Sequence, residues 1–146
     1  MGAAVNWSAL AAAMVFVWLG MVLAISFLEA PLKFRAPGIT IALGLGIGRL
    51  VFTALNGCEA VLATVAVIAV AAGHPGLPGV VGLAVAVGAL GIQVLAVRPA
   101  LRRRTDVVLA DPGAAEAGRS HAHVVYIVLD IVKVLALIVA GIALLR

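Results

Sequence analysis

Residues 124–145 read VVYIVLDIVKVLALIVAGIALL, and Asp130 and Lys133 are the only charged side chains in that run. A helix needs about 20 predominantly apolar residues to cross a hydrocarbon core of about 30 Å. This stretch supplies them, and it places an acid and a base at a depth where each costs about 2.5–3.5 kcal/mol on insertion scales. The rest of the chain repeats the pattern. Further apolar blocks run from Trp7 to Ala30, from Thr40 to Ala72 and from Leu77 to Val97. Helices are therefore expected over about 7–30, 40–72, 77–97 and 121–145, an all-α, four-helix transmembrane bundle occupying the whole chain as one integral membrane domain,.

Composition supports this reading. The 146 residues are 65% apolar and 11% charged, with a mean hydropathy of +1.27. A soluble domain carries about a quarter of its residues as charges, and a disordered chain has far less apolar surface. The net charge of +4 reflects arginines and lysines in the connections between apolar blocks, which is topology information and not a nucleic-acid footprint,. The first connection holds Lys33 and Arg35. The third holds Arg98, Arg102, Arg103, Arg104 and Arg119 against Asp106, Asp111 and Glu116, while the second, Gly73 to Gly76, has no formal charge. The positive-inside rule puts the first and third connections in the cytoplasm and both termini outside it, in a multi-pass cytoplasmic (inner) membrane protein. The first block lacks a basic n-region and is too long for a signal-peptide core, so it reads as a retained helix.

Prolines and glycines mark expected boundaries. Pro31 and Pro37 bracket the first connection, Gly73, Pro75, Gly76 and Pro78 make the second a tight turn, and Pro99 is expected to end the third helix,. Asp111-Pro112-Gly113 reads as a turn in a water-exposed stretch. Gly44 and Gly48 form a GxxxG pair, and Gly82, Gly88 and Gly91 stud helix three, inviting close helix approach and oligomerisation,. There is no internal repeat, Walker loop, dinucleotide fingerprint or H-E-x-x-H. The rings of His121 and His123 lie about 200° apart on a helix, which disfavours shared metal ligation. Cys58 has no partner cysteine and reads as a small apolar residue,. Trp7 reads as an interfacial marker and Trp18 as packing.

Polar residues within the spans are the functional candidates. On helix two, Arg49, Asn56 and Glu59 share a face about 80° wide; on helix four, His123, Tyr126, Asp130 and Lys133 do the same,. If the two helices are neighbours, Arg49 and Lys133 are placed to neutralise Glu59 and Asp130. Gln93, Arg98, Glu29 and Lys33 lie near the same membrane face and complete the mouth of a cavity. Glu29 and Lys33 are i, i+4 partners only if helix one continues past Pro31,. These residues either line a ligand or proton site or form ion pairs that fix helix packing.

Two resemblances follow from particular residues. The run Phe27-Leu28-Glu29-Ala30-Pro31-Leu32-Lys33-Phe34-Arg35, the Arg49-Leu50 step, the Arg98 to Thr105 connection and His123 with Asp130 resemble motifs of the transmembrane-protein-205-like family. That family consists of four-helix membrane proteins of poorly defined activity. Asp130 stands where the family has Asn. The spacing of Arg49, Asn56 and Glu59 is similar to the second helix of the membrane-associated glutathione and eicosanoid enzymes, with Phe52 where that family has a second Arg. This second resemblance implies glutathione or another low-molecular-weight thiol held at a subunit interface, with Arg98 or Arg104 standing in for a catalytic arginine.

Three functional readings follow. The first is a non-enzymatic membrane protein without a cofactor, binding or conducting a small polar or amphiphilic ligand or protons through Arg49, Asn56, Glu59, Gln93, Tyr126, Asp130 and Lys133. The second is a thiol-dependent enzyme acting on a lipophilic substrate. The third is an accessory subunit of a larger membrane complex. In each, the lipid bilayer is a partner, together with further copies of the chain or other subunits.

Overall fold

A computed structural model describes residues 5–111 and 121–146. Four helices, each long and apolar enough to cross a membrane, make up the fold: α1 (Trp7–Lys33), α2 (Ile41–Gly73), α3 (Leu77–Ala110) and α4 (His121–Leu144). There is no strand among the described residues. Only 28–39% of each span's apolar window is buried inside the bundle, so most of its apolar surface is left for lipid,.

Local chemistry sets most of the ends. Asn6 and Thr40 cap α1 and α2 by accepting from the Ala9 and Leu43 amides at 3.0 and 3.1 Å,. His74 terminates α2 in the left-handed region at φ 48°, its amide donating to the Val70 carbonyl at 3.0 Å, and Pro78 enters the first turn of α3,.

Two prolines expected to end helices do not. α1 passes through Pro31 to Lys33, and α3 passes through Pro99 to Ala110, well beyond the expected end at Val97. Each proline is preceded by a π-wound segment, Leu23–Glu29 in α1 and Gln93–Val97 in α3. In these wider turns the Ala30 amide bonds the Ile25 carbonyl and the Arg98 amide bonds that of Gln93. The extra residue makes room for a ring that would otherwise press on the preceding turn. Asp111 lies just past α3, and the remainder of the expected Asp-Pro-Gly turn, with Glu116 and Arg119, falls outside the described residues.

Helix α3 packs most closely on α4 and α1 on α2, with α1 also lying along α4; α2 and α3 meet more sparsely. Helices α2 and α4, the two expected as possible neighbours, stand instead across the bundle from each other. The half of the bundle near the chain termini is filled by small and branched side chains, among them Ala12, Val15, Ala66, Ala86, Leu137 and Ala140. Gly82 permits this packing, since a Cβ there would stand 2.9 Å from the Ala136 carbonyl oxygen and the Ala140 amide nitrogen of α4,. The GxxxG pair works differently from expectation: Gly44 seats the Phe34 ring and Gly48 the Lys33 ammonium, both from the end of α1 and its connection. Gly88 and Gly91 face open space.

Candidate functional site

Trp18, Glu59, Gln93 and Lys133 each lie within about two residues of the middle of their own span, so the four helices place their polar groups in one layer. Lys133, the thirteenth of the 24 residues of α4, is about 17 Å from either end,. This is the depth at which a charge is most costly.

The side chains meet there. Lys133 Nζ donates to Glu59 Oε1 at 2.5 Å, to Gln93 Oε1 at 2.7 Å and to Asp130 Oδ1 at 3.0 Å, so its three protons are all used,. Trp18 Nε1 donates to Glu59 Oε1 at 2.8 Å. Gln93 Nε2 donates to Asp130 Oδ1 at 2.7 Å and to the Tyr126 carbonyl at 3.3 Å. The hydrogen-bond pattern orients the Asn56 amide with Nδ2 toward Glu59 Oε2 at 3.2 Å and the Phe52 carbonyl at 3.0 Å, with the Tyr126 hydroxyl at 3.3 Å,. Long side chains thereby bridge the diagonal between α2 and α4.

The electrostatics are unequal. One ammonium faces two carboxylates, and the surrounding groups from α1 and α3, Trp18 and Gln93, are neutral. Glu59 receives donors on both oxygens, whereas Gln93 and Lys133 both address Oδ1 of Asp130. Trp18, Glu59, Gln93 and Lys133 are each 0% exposed, which means that no water-sized void touches them from outside or from within,. Asp130, at 1%, Asn56, at 4%, and Tyr126, at 5%, are buried nearly as fully, so the layer is close to sealed.

Above it, toward the end where α2 and α4 begin, Phe52 and Tyr126 stack edge to face with centroids 5.4 Å apart,. The Lys33 ammonium sits 5.4 Å from the Phe52 ring centre and pairs with Glu29 at 3.4 Å. Arg98 Nη2 donates to Thr53 Oγ1 at 2.6 Å. The expected mouth residues Glu29, Lys33 and Arg98 thus surround this end of the bundle, and two aromatic rings fill it.

Six of the seven sequence-derived site residues converge: Asn56, Glu59, Gln93, Tyr126, Asp130 and Lys133. Gln93 belongs to the central layer and not to its mouth. Arg49 is the exception. It pairs with Asp106 on the exposed rim and does not reach Glu59. Ten residues separate the two on α2, about 15 Å along the axis, so a shared angular face did not bring them together. Lys133 does the neutralising of both acids that the sequence divided between Lys133 and Arg49. Trp18, read as packing, is a full member of the layer. The available signal was its position at mid-span, where an indole N–H needs an acceptor.

Cys58 is exposed on the outer surface of the bundle. Comparison with family models, with curated proteins and with solved structures gives no match.

Proposed function

We propose that this chain is a small, non-enzymatic multi-pass membrane protein whose central layer binds and releases a proton. The observation that carries the reading is the single ammonium of Lys133 between the carboxylates of Glu59 and Asp130, with Lys133 and Glu59 at 0% and Asp130 at 1% exposure. With all three groups ionised, the layer itself carries one net negative charge at mid-span, with the Arg98 guanidinium acting on Glu59 from outside it. One added proton makes it neutral, as burial demands. Asp130 is the acceptor the geometry favours, because Glu59 is already met by donors on both oxygens. A proton also suits so tightly packed a layer, where a larger solute requires the helices to part.

Once Asp130 is neutral, its hold on Lys133 weakens, and Lys133 remains tied to Glu59 and Gln93. Gln93 opens the π-wound turn of α3, so protonation bears directly on the part of the fold best able to change its winding,. This supports a proton-linked change in the packing of α3, with passage or binding of a small polar or amphiphilic solute as its consequence. The gathering of Lys33, Arg35, Arg98 and Arg102 at one end supports a cytoplasmic placement of that end in an inner membrane, with both termini on the far side. The thiol-cofactor alternative draws less support, since Arg49 turns to Asp106 and away from Asn56 and Glu59.

Infrared spectra of the protein in lipid, recorded across pH 5–8, test the reading. A protonated-carboxyl band that disappears in Glu59→Gln and in Asp130→Asn alike is the expected outcome, because either variant leaves one carboxylate to one ammonium. No such band in the parent protein at any pH in that range overturns it.

A further inference from the structure

The central layer divides the bundle into unlike halves. In the half toward the chain termini, every buried side chain among the described residues is apolar. From Lys133 to Leu144, about 17 Å along α4, the interior is filled by Val15, Ala66, Ala86, Leu137 and Ala140, each 0% exposed, so no water-sized void touches them,.

The other half is polar close to the layer. Tyr126, Arg98 and Thr53 stand four residues from Asp130, five from Gln93 and six from Glu59, all toward the end where α2 and α4 begin. They make a second tier about 6–9 Å from the first. The Asn56 amide spans the gap, 3.2 Å from Glu59 Oε2 and 3.3 Å from the Tyr126 hydroxyl. Arg98 is half-buried, acts on both Tyr126 and Glu59, and donates to the exposed Thr53 hydroxyl at 2.6 Å. A guanidinium at such depth keeps its head wet by snorkelling or by drawing water in. On α1, eight residues from Trp18 toward the same end, Ser26 adds a buried hydroxyl that bonds no described group, and such a hydroxyl calls for a water partner,. Water thus comes within one tier of the layer on this side, and a dry half-bundle separates it from the layer on the other.

Among the described residues, the charged or titratable groups that face the carboxyl pair are Lys133 and Tyr126 from α4 and Arg98 from α3; α1 presents Trp18 and α2 presents Asn56, both neutral. We infer that the proton held by Glu59 and Asp130 exchanges with water on one side of the membrane only, the side of Lys33 and Arg98, entering past Tyr126. On the proton-binding reading, on which this rests, the layer then reports the pH of one compartment to the helices and carries no proton current. The proton comes from hydronium and returns to water, so no further reactant takes part.

The test uses the full chain reconstituted in phosphatidylcholine vesicles with its two orientations unequally populated, as counted by a protease-cleavable tag after Arg146. With pH equal on both sides, the carboxyl infrared band should titrate; its absence overturns the proton reading and one-sided exchange together. With the band present, one-sided exchange stands or falls separately. A step in external pH, against a strongly buffered interior, should move the band by the fraction of chains whose tag is shielded. A pH gradient, with the potential clamped by potassium and valinomycin, should drive no more proton flux than in protein-free vesicles. A shift of the whole band, a shift matching the tag-exposed fraction, or flux above the protein-free level overturns one-sided exchange and leaves proton binding intact. Tyr126→Phe keeps the ring on Phe52 but removes the hydroxyl, and should slow the response to the external step roughly tenfold or more,. An unchanged rate overturns the route past Tyr126.

Discussion

Replacing Lys133 with methionine isolates what the buried ammonium contributes. All three of its protons are used within the layer, on Glu59, Gln93 and Asp130 at 2.5, 2.7 and 3.0 Å. Methionine keeps the length and the apolar stem but leaves the two carboxyl groups without a counter-ion. Breaking a buried ion pair by removing one partner costs about 3–5 kcal/mol. The variant can escape by binding one more proton than the parent does. For a carboxyl group of ordinary solution pKa near 4, that costs about 4 kcal/mol at pH 7 and about 1.4 kcal/mol at pH 5. The two routes agree at neutrality, and the second sets the sign of the pH dependence: a folded state that must hold an extra proton loses stability as pH rises. Reversible unfolding in mixed micelles of mild and denaturing detergent provides the assay. Lys133→Met should lose about 4 kcal/mol at pH 7 and well under half of that at pH 5. Combining it with Glu59→Gln and Asp130→Asn should restore most of the loss, because an uncharged layer needs no counter-ion. A single variant within about 1 kcal/mol of the parent at pH 7, or equally destabilised at both pH values, refutes the reasoning.

Other substitutions probe separate parts of the structure. Trp18→Phe keeps the ring packing but removes the 2.8 Å donor to Glu59; a loss of about 1.5–3 kcal/mol is expected in the same unfolding assay, against little change for Trp7→Phe,. Gly82→Val drives a side chain into the α4 backbone and should cost at least about 1–3 kcal/mol or shift the α3–α4 packing, while Gly88→Val, pointing into open space, should stay within about 0.5 kcal/mol,. Asp106→Asn breaks a rim pair whose side chains are 39% and 59% exposed, so a change of about 0–1 kcal/mol, diminishing with added salt, is expected,.

The architecture was legible because hydropathy over spans of this length has few alternative explanations in a chain this poor in charge. Asp130 and Lys133 could be paired from their i, i+3 spacing, and Asn56 with Glu59 from theirs. Depth was harder to read. Arg49 shares an angular face with Glu59, yet axial rise carries it to the rim, where Asp106 is the nearer partner. Asp106 itself was assigned to a connection, because Pro99 reads as a helix end unless the π winding before it is known, and winding has no reliable sequence signature,. Trp18 reads as packing for a related reason: an indole in an apolar helix looks so until a buried acceptor such as Glu59 is known to lie opposite. The diagonal placement of α2 and α4 depends on which helices pack closely, and small residues such as Gly82 decide that only in the context of a specific partner.

Carboxyl carbon chemical shifts of Glu59 and Asp130, resolved by solid-state NMR on labelled protein in bilayers, test the central claim most directly. The account predicts one proton held by the Glu59–Asp130 pair, with both carboxyl groups in contact with the Lys133 ammonium. Both carboxyl groups fully ionised, or neither in contact with the Lys133 ammonium, would contradict the account.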